Sequence, residues 1–421
     1  MKSKKNAAAV QNLIFNAYCL MFFSYFCAMF INEATRRYIA AHTTDDVRQL
    51  ALQGTKDTDV DLPMALQQIA GRQTARKKLP SWAANDDVLY PPHLNMEQCS
   101  SEQTARYKAS LIANLSPKGE GEGVFVDLTG GLGVDFYWMS QHFKQRIYVE
   151  QNNDLCTLAE YNFRALGLDC SVYCCDTAAY LTDMSHADAI FLDPARRNEH
   201  GGRTYDIRDC TPNVLELLPL LMKKADKVIL KLSPMFDWRK AVDDLQHVTE
   251  VHIVSVDNEC KELLLVLQPM SAPFRLVCVN NDHLFEVPSA FPPQPSSLSL
   301  QPSYLYEPNA SIMKAGCFEA VAERYGIQQV SANSHLFLSS VEIEVFPGRR
   351  FQICAISSMN KQELKDTLAA IDRANIAVRN FPLTTDQLRK KLKLKDGGDS
   401  YIFATTTDKG NHMLIMCKKT S

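Results

Sequence analysis

The chain has 421 residues, about two to three times the length of a typical domain, which excludes a single small domain and predicts several modules around at least one sizeable core. Hydrophobic residues make up 46% and charged residues 22%, with 17 Gly and 19 Pro, a balance that excludes a disordered or fibrous chain. Lys plus Arg number 45 against 48 Asp plus Glu, a net of −3, so no whole-chain basic field marks a nucleic-acid binder and any such surface has to be local.

Residues 1–31 form an apolar amino-terminal segment. Leu13 to Ile31 carries no charge and meets the length criterion for a membrane span. Lys2, Lys4 and Lys5 precede it and Arg36 and Arg37 follow, so the positive-inside rule would keep the short terminus in the cytoplasm and export the rest. No small-residue cleavage site follows, and the 13 Cys are scattered without a Cys-x-x-Cys pair, as reduced cytosolic thiols are. A third reading starts the protein at Met29, with Asn32 or Thr35 capping a helix through Glu33–Ile39, which makes residues 1–28 an extension without functional weight. The expectation is a cytoplasmic protein with no membrane partner and no metal.

Residues 32–118 are helical and polar, with pieces at Thr44–Leu52 and Met64–Arg72 and a loop around Pro80, Pro91 and Pro92. From 119 to 270 the texture changes to short apolar runs alternating with helical stretches: VFVDL, RIYVE, CSVYCCD, ADAIFLD, KVILKL, EVHIVSVD and ELLLVLQ. Crossover helices fit at Val134–Phe143, Leu155–Leu166 and Pro212–Ala225, whereas the last two runs are close enough to need a hairpin. This rhythm predicts an α/β fold with a doubly wound seven-stranded sheet, parallel except for an antiparallel last strand. Residues 271–303 read as a small hairpin turning at Asn280-Asn281-Asp282, followed by a Pro- and Ser-rich linker. A second, smaller α+β module at 304–421 is predicted from VEIEVF, FQICAIS, a helix over Lys361–Ala374 and a closing strand at Tyr401–Ala404.

Asp127-Leu128-Thr129-Gly130-Gly131-Leu132-Gly133 follows the first strand and opens the first helix, where glycines let the backbone turn tightly and approach a ligand. Glu150 ends the second strand, where a carboxylate can accept both hydroxyls of a ribose; Asp176 ends the third, positioned for an adenine amino group; and Asp193 ends the fourth. A dinucleotide site would set a pyrophosphate on the helix terminus in neutral or basic surroundings. Here an acid begins the loop. A cation without phosphates fits better, and S-adenosylmethionine has a sulfonium, an amino group and an unphosphorylated ribose. The bland alternative is a strand-end turn with solvated acids.

Through the loop Asp127–Asp135, Tyr148-Val149-Glu150, Asp176 and Phe191-Leu192-Asp193-Pro194-Ala195-Arg196-Arg197, in that order, the chain resembles the class I S-adenosylmethionine-dependent methyltransferases. It looks most like the bacterial branch with a THUMP-like domain at the carboxyl terminus. The likeness is clearest over about residues 100 to 270 and fainter to the end of the chain. It implies a Rossmann-like sheet, S-adenosylmethionine held by Asp127, Thr129, Gly130, Gly131, Gly133, Glu150 and Asp176, and a THUMP-like module at 304–421 that binds RNA, a tRNA or an rRNA.

Methyl transfer from a sulfonium is an in-line displacement, so the acceptor has to sit beside Asp193. Enzymes acting on exocyclic amines often carry Asp-Pro-Pro-Tyr, whose aromatic stacks on a flipped base. This chain has Asp193-Pro194-Ala195-Arg196-Arg197, and its two guanidiniums suit a phosphate or carboxylate, or else a solvated loop. The fifth strand has no Cys for carbon methylation but places Lys231 in an apolar run, where an ammonium needs a carboxylate, and Asp193 is the candidate. Adding Lys108 and Glu259 or Glu262 gives an order resembling the Lys-Asp-Lys-Glu tetrad of ribose 2′-O-methyltransferases. Asp193, Lys231 and Lys108 are therefore the catalytic candidates, with a base nitrogen, a ribose 2′-hydroxyl, or a small molecule or protein as acceptor.

Residues 301–421 carry a net charge of +4 against −7 for residues 1–300. The densest basic stretch holds Arg389, Lys390, Lys391 and Lys393, which with Arg196 and Arg197 are the candidate RNA contacts; a solvated helix face is the alternative. A basic module that grips structured RNA by its backbone would present a nucleotide to the cofactor crevice. Two rivals stay open: a non-catalytic RNA-binding protein with a vestigial crevice, and a small-molecule methyltransferase.

Overall fold

The computed structural model describes residues 31–113, 123–196, 206–269, 272–287, 302–369 and 371–420, with the side chain of residue 196 outside that set. The apolar run up to residue 30, Arg197, and the Pro- and Ser-rich linker from 288 to 301 lie outside the described residues. Among the described residues no helix is long and apolar enough to cross a membrane. The chain divides into two compact units, the first comprising residues up to Leu232 with 239–248 and 266–271, the second comprising 233–238, 249–265 and 272 onward.

The first unit opens with helices α1 (Glu33–Ala41), α2 (Val47–Gln53), α3 (Leu62–Lys78), α4 (Pro80–Ala83), α5 (His93–Gln98) and α6 (Glu102–Ser110). Side-chain oxygens of Asn32, Asp46, Asp61 and Ser101 cap α1, α2, α3 and α6, each satisfying an orphan amide of the first turn. Pro80 does not sit in a loop but starts α4, where its missing N–H costs nothing. Ile39, Leu50, Ile69, Trp82, Tyr90 and Met96 bury one shared core, at about 1.5–3 kcal/mol for each large side chain withdrawn from water.

Five strands follow: β1 (Val124–Asp127), β2 (Gln145–Glu150), β3 (Ser171–Cys174), β4 (Ala187–Leu192) and β5 (Ala225–Leu232). They are all parallel, in the order β5-β4-β1-β2-β3. The crossovers are α7 (Val134–Met139), α8 (Asn153–Ala165), α9 (Thr177–Asp183) and α10 (Val214–Lys224), at the three places where the spacing predicts them and one more. Phe125 and Val126 of β1 and Ala189 to Leu192 of β4 are buried, which explains why these strands appear as continuous apolar runs. β2 and β4 flank β1 on opposite sides, so strand order reverses there and opens a crevice beyond the carboxyl ends of β1 and β4.

In the second unit β6 (Val248–Val256) and β7 (Glu259–Leu267) are joined by Asp257-Asn258, both at positive φ, the tight hairpin that their closeness requires. The expected small hairpin forms as β8 (Arg275–Asn280) and β9 (His283–Val287), with Asn281 at φ +53, and β8 pairs in parallel with β6. A further sheet comprises β10 (Tyr304–Pro308), β11 (Gln328–Gln329), β12 (Phe337–Ser339), β13 (Gly348–Ser357), β14 (Asn375–Arg379), β15 (Ser400–Thr406) and β16 (His412–Lys419), in the order β11-β12-β10-β13-β16-β15-β14. Helices α11 (Ala310–Ala315), α12 (Phe318–Tyr325), α13 (Lys361–Leu368) and α14 (Thr385–Leu392) complete the unit. Three details correct the sequence reading. VEIEVF is not a strand; the Ile343 amide donates to the Tyr306 hydroxyl instead of to a ladder. The helix from Lys361 ends at Leu368, and the closing strand is β16, which pairs with both β13 and β15.

Candidate active site

The glycine-rich loop takes its shape from packing as much as from its backbone freedom. A Cβ on Gly130 would lie 2.0 Å from the ring of Tyr148, which is wholly buried and donates its hydroxyl to the Gly131 carbonyl at 2.5 Å. Gly131 is different: its φ is +55, and nothing but the Thr129 carbonyl, at 3.8 Å, stands near the place of its missing Cβ. Gly133, at φ +84, caps α7 in the left-handed conformation. The loop is tied to the neighbouring strands through Leu128 N–H to the Phe191 carbonyl and Gly130 N–H to the Val149 carbonyl.

The carboxylates expected at the strand ends stand around this loop. Asp127 is buried; its Oδ1 accepts the Thr129 amide at 2.9 Å, while its Oδ2 is buried with no hydrogen-bond partner. Burial pushes its pKa well above the usual carboxylate value, and the Asp135, Asp193 and Glu150 carboxylates push the same way. Glu150 accepts the Gly131 amide on Oε2 and the Asn152 amide on Oε1, each at 2.9 Å, so it braces the loop. Asp176 is exposed and caps α9 through Oδ1, and Thr177 of the same turn donates to the Leu128 carbonyl at 2.8 Å. The Thr129 hydroxyl accepts the Asp193 amide at 2.6 Å, binding the loop to the segment beyond β4.

Around Asp193 lies an ionic cluster. Lys231 Nζ is 2.5 Å from Asp193 Oδ2, 3.4 Å from Asp135 Oδ2 and 3.2 Å from the Ser100 hydroxyl. Lys108 is fully buried, 3.1 Å from Asp135 Oδ1 and 3.1 Å from the same Ser100 oxygen. Burial alone would raise the Asp135 pKa, but the Lys108 and Lys231 ammoniums beside it, with the Ser100 hydroxyl, hold it below its ordinary value. Lys231 thus meets the carboxylate its apolar strand requires, whereas Lys108 stands against Asp135. Glu259 is paired with Lys261 at 2.7 Å, and Glu262 is buried. Sequence reasoning misses Asp135 and Ser100. The signal for Asp135 is a second lysine, Lys108, on the apolar side of a short helix, which needs its own counter-charge.

In the second unit Lys390, Lys391 and Lys393 are exposed, with Lys393 ending α14 in the left-handed conformation. Arg389 is engaged by the protein itself, donating to the Ala374 carbonyl at 2.9 Å and pairing with Asp396 at 2.6 Å. The backbone of Arg196 pairs with Cys210 in a two-residue ribbon. Among the described residues no group of three or more His, Cys, Asp or Glu is arranged to hold a metal.

This strand order and loop are those of a Rossmann-like doubly wound sheet, the fold of the class I S-adenosylmethionine-dependent methyltransferases that the sequence resembles. The chain is similar to a Porphyromonas gingivalis W83 protein assigned as a methyltransferase: identity is 30%, coverage 92% of this chain and 98% of that one, and the TM-score 0.78. A family described as THUMP domain-like matches residues 348–419, and one described as a ferredoxin-like domain matches 304–347. The chain belongs to the family of the P. gingivalis protein, methyltransferases with a THUMP-like domain at the carboxyl terminus. Fainter likenesses include a Listeria monocytogenes chain assigned as a class I S-adenosylmethionine-dependent methyltransferase (9% identity, 59% of this chain and 94% of that one, TM-score 0.37). Another is an rRNA methylase from Streptococcus thermophilus (12%, 39% and 95%, TM-score 0.30). No functionally curated protein matches the chain.

The cofactor of this fold is S-adenosylmethionine, and the residues present suit it. The buried, unpartnered Asp127 Oδ2 offers an acceptor for a cationic group, and the open side of Gly131 is where backbone can approach a ligand without a side chain between.

Proposed function

We propose that this chain methylates RNA, a tRNA or an rRNA, at a base nitrogen or a ribose 2′-hydroxyl. The observation that carries the reading is the Asp193–Lys231 pair at the end of β4, held to the glycine-rich loop by the bond from the Asp193 amide to Thr129. S-adenosylmethionine supplies, when bound, a methyl group on a sulfonium. Asp127 would hold its amino group, Glu150 its ribose hydroxyls, Asp176 its adenine amino group and Gly131 its backbone-facing side. Gly130, Gly133 and Thr129 would act through the shape of the loop.

The Asp193 side chain is 38% exposed, enough to meet an incoming group, and Lys231 occupies one of its oxygens. The other oxygen accepts the N–H or O–H of the acceptor, aligns its lone pair and takes the one proton that the acceptor loses on methylation, passing it on to solvent; the leaving group would be the neutral thioether. Lys231 fixes that carboxylate. Lys108, fully buried, acts through Asp135 and does not touch the acceptor. Exposed Lys390, Lys391 and Lys393 in a net-basic module support a phosphate-bearing substrate, and the THUMP-like match favours RNA over a small molecule. The engaged Arg389 would shape that surface, and Arg196 and Arg197 would add RNA contacts.

The test is transfer of a radiolabelled methyl group from S-adenosylmethionine into total cellular RNA. Wild-type protein is expected to label RNA, and Asp193→Ala to lose on the order of 100-fold or more in rate at unchanged cofactor affinity. Labelling of small metabolites but not of RNA would overturn the reading.

A further inference from the structure

We infer that Asp135, with Lys108 and Ser100, is a positioning group that sets Lys231 against Asp193. The inference rests on the reading of Asp193 as the acceptor-binding acid. The four charged side chains balance, two ammoniums against two carboxylates, and one hydroxyl bridges them: Ser100 Oγ lies 2.7 Å from Asp135 Oδ2, 3.1 Å from Lys108 Nζ and 3.2 Å from Lys231 Nζ. Each member comes from a different place: Ser100 just before α6, Lys108 near the end of α6, Asp135 in the first turn of α7, Lys231 on β5 and Asp193 just past β4.

Geometry divides the labour among them. The Asp193 side chain is 38% exposed, those of Lys231 and Asp135 are 12% and 10% exposed, and that of Lys108 is 0% exposed. Only the outermost member can meet a substrate, so the others act through it. A lysine side chain has four rotatable bonds, and one carboxylate at its tip does not fix them. The contact with Asp135 restricts Lys231 from the inner side, so that its proton points at Asp193. Asp135 is also two residues past Gly133, the last glycine of the cofactor loop. The same side chain thus ties the first turn of α7 to the lysine that faces Asp193.

Asp135→Asn alone leaves Lys108 buried without its counter-charge and is expected to lower thermal stability, as removal of one partner of a buried pair does. The informative variant is therefore the double replacement Lys108→Met with Asp135→Asn, which removes both buried charges together. Its circular dichroism and its S-adenosylmethionine dissociation constant are expected to stay within about twofold of wild type. Its kcat on RNA is expected to fall tenfold or more with KM within about twofold, and trace acylation of Lys231 at pH 8, read by mass spectrometry, to rise several-fold over wild type. A purely structural role would move neither readout. Wild-type kcat in the double variant, or Lys231 labelling no faster than in wild type, would overturn the inference. If wild-type protein labels no RNA, the proposed function falls, and the acylation arm still decides whether Asp135 and Lys108 hold Lys231.

Discussion

Asp127 meets two demands that conflict in the free protein and agree once a cation is bound. Its carboxyl is buried with one oxygen unpartnered, and its pKa is raised by burial first and by three neighbouring carboxylates after that. A carboxyl whose pKa is higher folded than unfolded favours the fold while protonated, and that contribution is lost as pH rises through the folded value. Asp127→Asn has no proton to lose. Its Tm, relative to wild type without cofactor, is expected to rise between pH 5 and pH 8, while its affinity for S-adenosylmethionine falls tenfold or more. A Tm difference independent of pH would contradict this account. The two adjacent glycines separate in the same way. Gly130→Ala drives a methyl into Tyr148, which is locked by its own hydrogen bond, and is expected to cost about 1–3 kcal/mol in denaturant unfolding. Gly131→Ala meets only its positive φ, about 1 kcal/mol, and is expected to fold but bind cofactor more weakly in calorimetry.

Among the elements, the hairpin between β6 and β7 depends on a two-residue turn with both residues at positive φ. Asp257→Gly is expected to be tolerated and Asp257→Val to cost about 1–2 kcal/mol, measured by chemical denaturation. The strands of the first sheet are legible in the sequence because both their faces are buried, which leaves unbroken apolar runs such as Ala189 to Leu192. VEIEVF misleads for the opposite reason. It alternates as a half-buried strand does, yet Val341 and Val345 are 69% and 73% exposed and the segment is fastened by Tyr306. β16 escapes a sequence reading because its apolar run, Met413 to Cys417, is Met, Leu, Ile, Met and Cys, with one β-branched residue, although it lies between two partner strands. At the site, Lys231 is legible because an ammonium in an apolar strand demands a carboxylate. Asp135 is not, because an acid in the first turn of a helix is ordinarily satisfied by the helix amides.

At the scale of the whole molecule, the second unit is not confined to residues 301–421. The α12 residue Tyr325 stacks on Phe285 of β9, with ring centroids 6.3 Å apart, Cys317 lies 3.9 Å from Cys278 of β8, and the Ala310 amide donates to Asn258 of the β6–β7 turn. Deleting 301–421 would strip these partners, so loss of activity on truncation would not identify an RNA site. Charge reversal is the cleaner probe. Lys390→Glu, Lys391→Glu and Lys393→Glu together are expected to leave folding and cofactor affinity unchanged and to weaken RNA binding. The dependence of log K on log salt should flatten by about 0.7–0.9 for each phosphate that the variant no longer neutralises. An unchanged slope in filter-binding titrations would remove this face from the RNA interface.

The most direct test of the central claim is calorimetric titration of S-adenosylmethionine into the wild-type protein and into Glu150→Ala. A micromolar dissociation constant that the substitution weakens tenfold or more, about 1.4 kcal/mol, is the expected result. A folded wild-type protein that takes up no S-adenosylmethionine, or binds it equally well without the Glu150 carboxylate, would contradict the assignment of this crevice as the cofactor site.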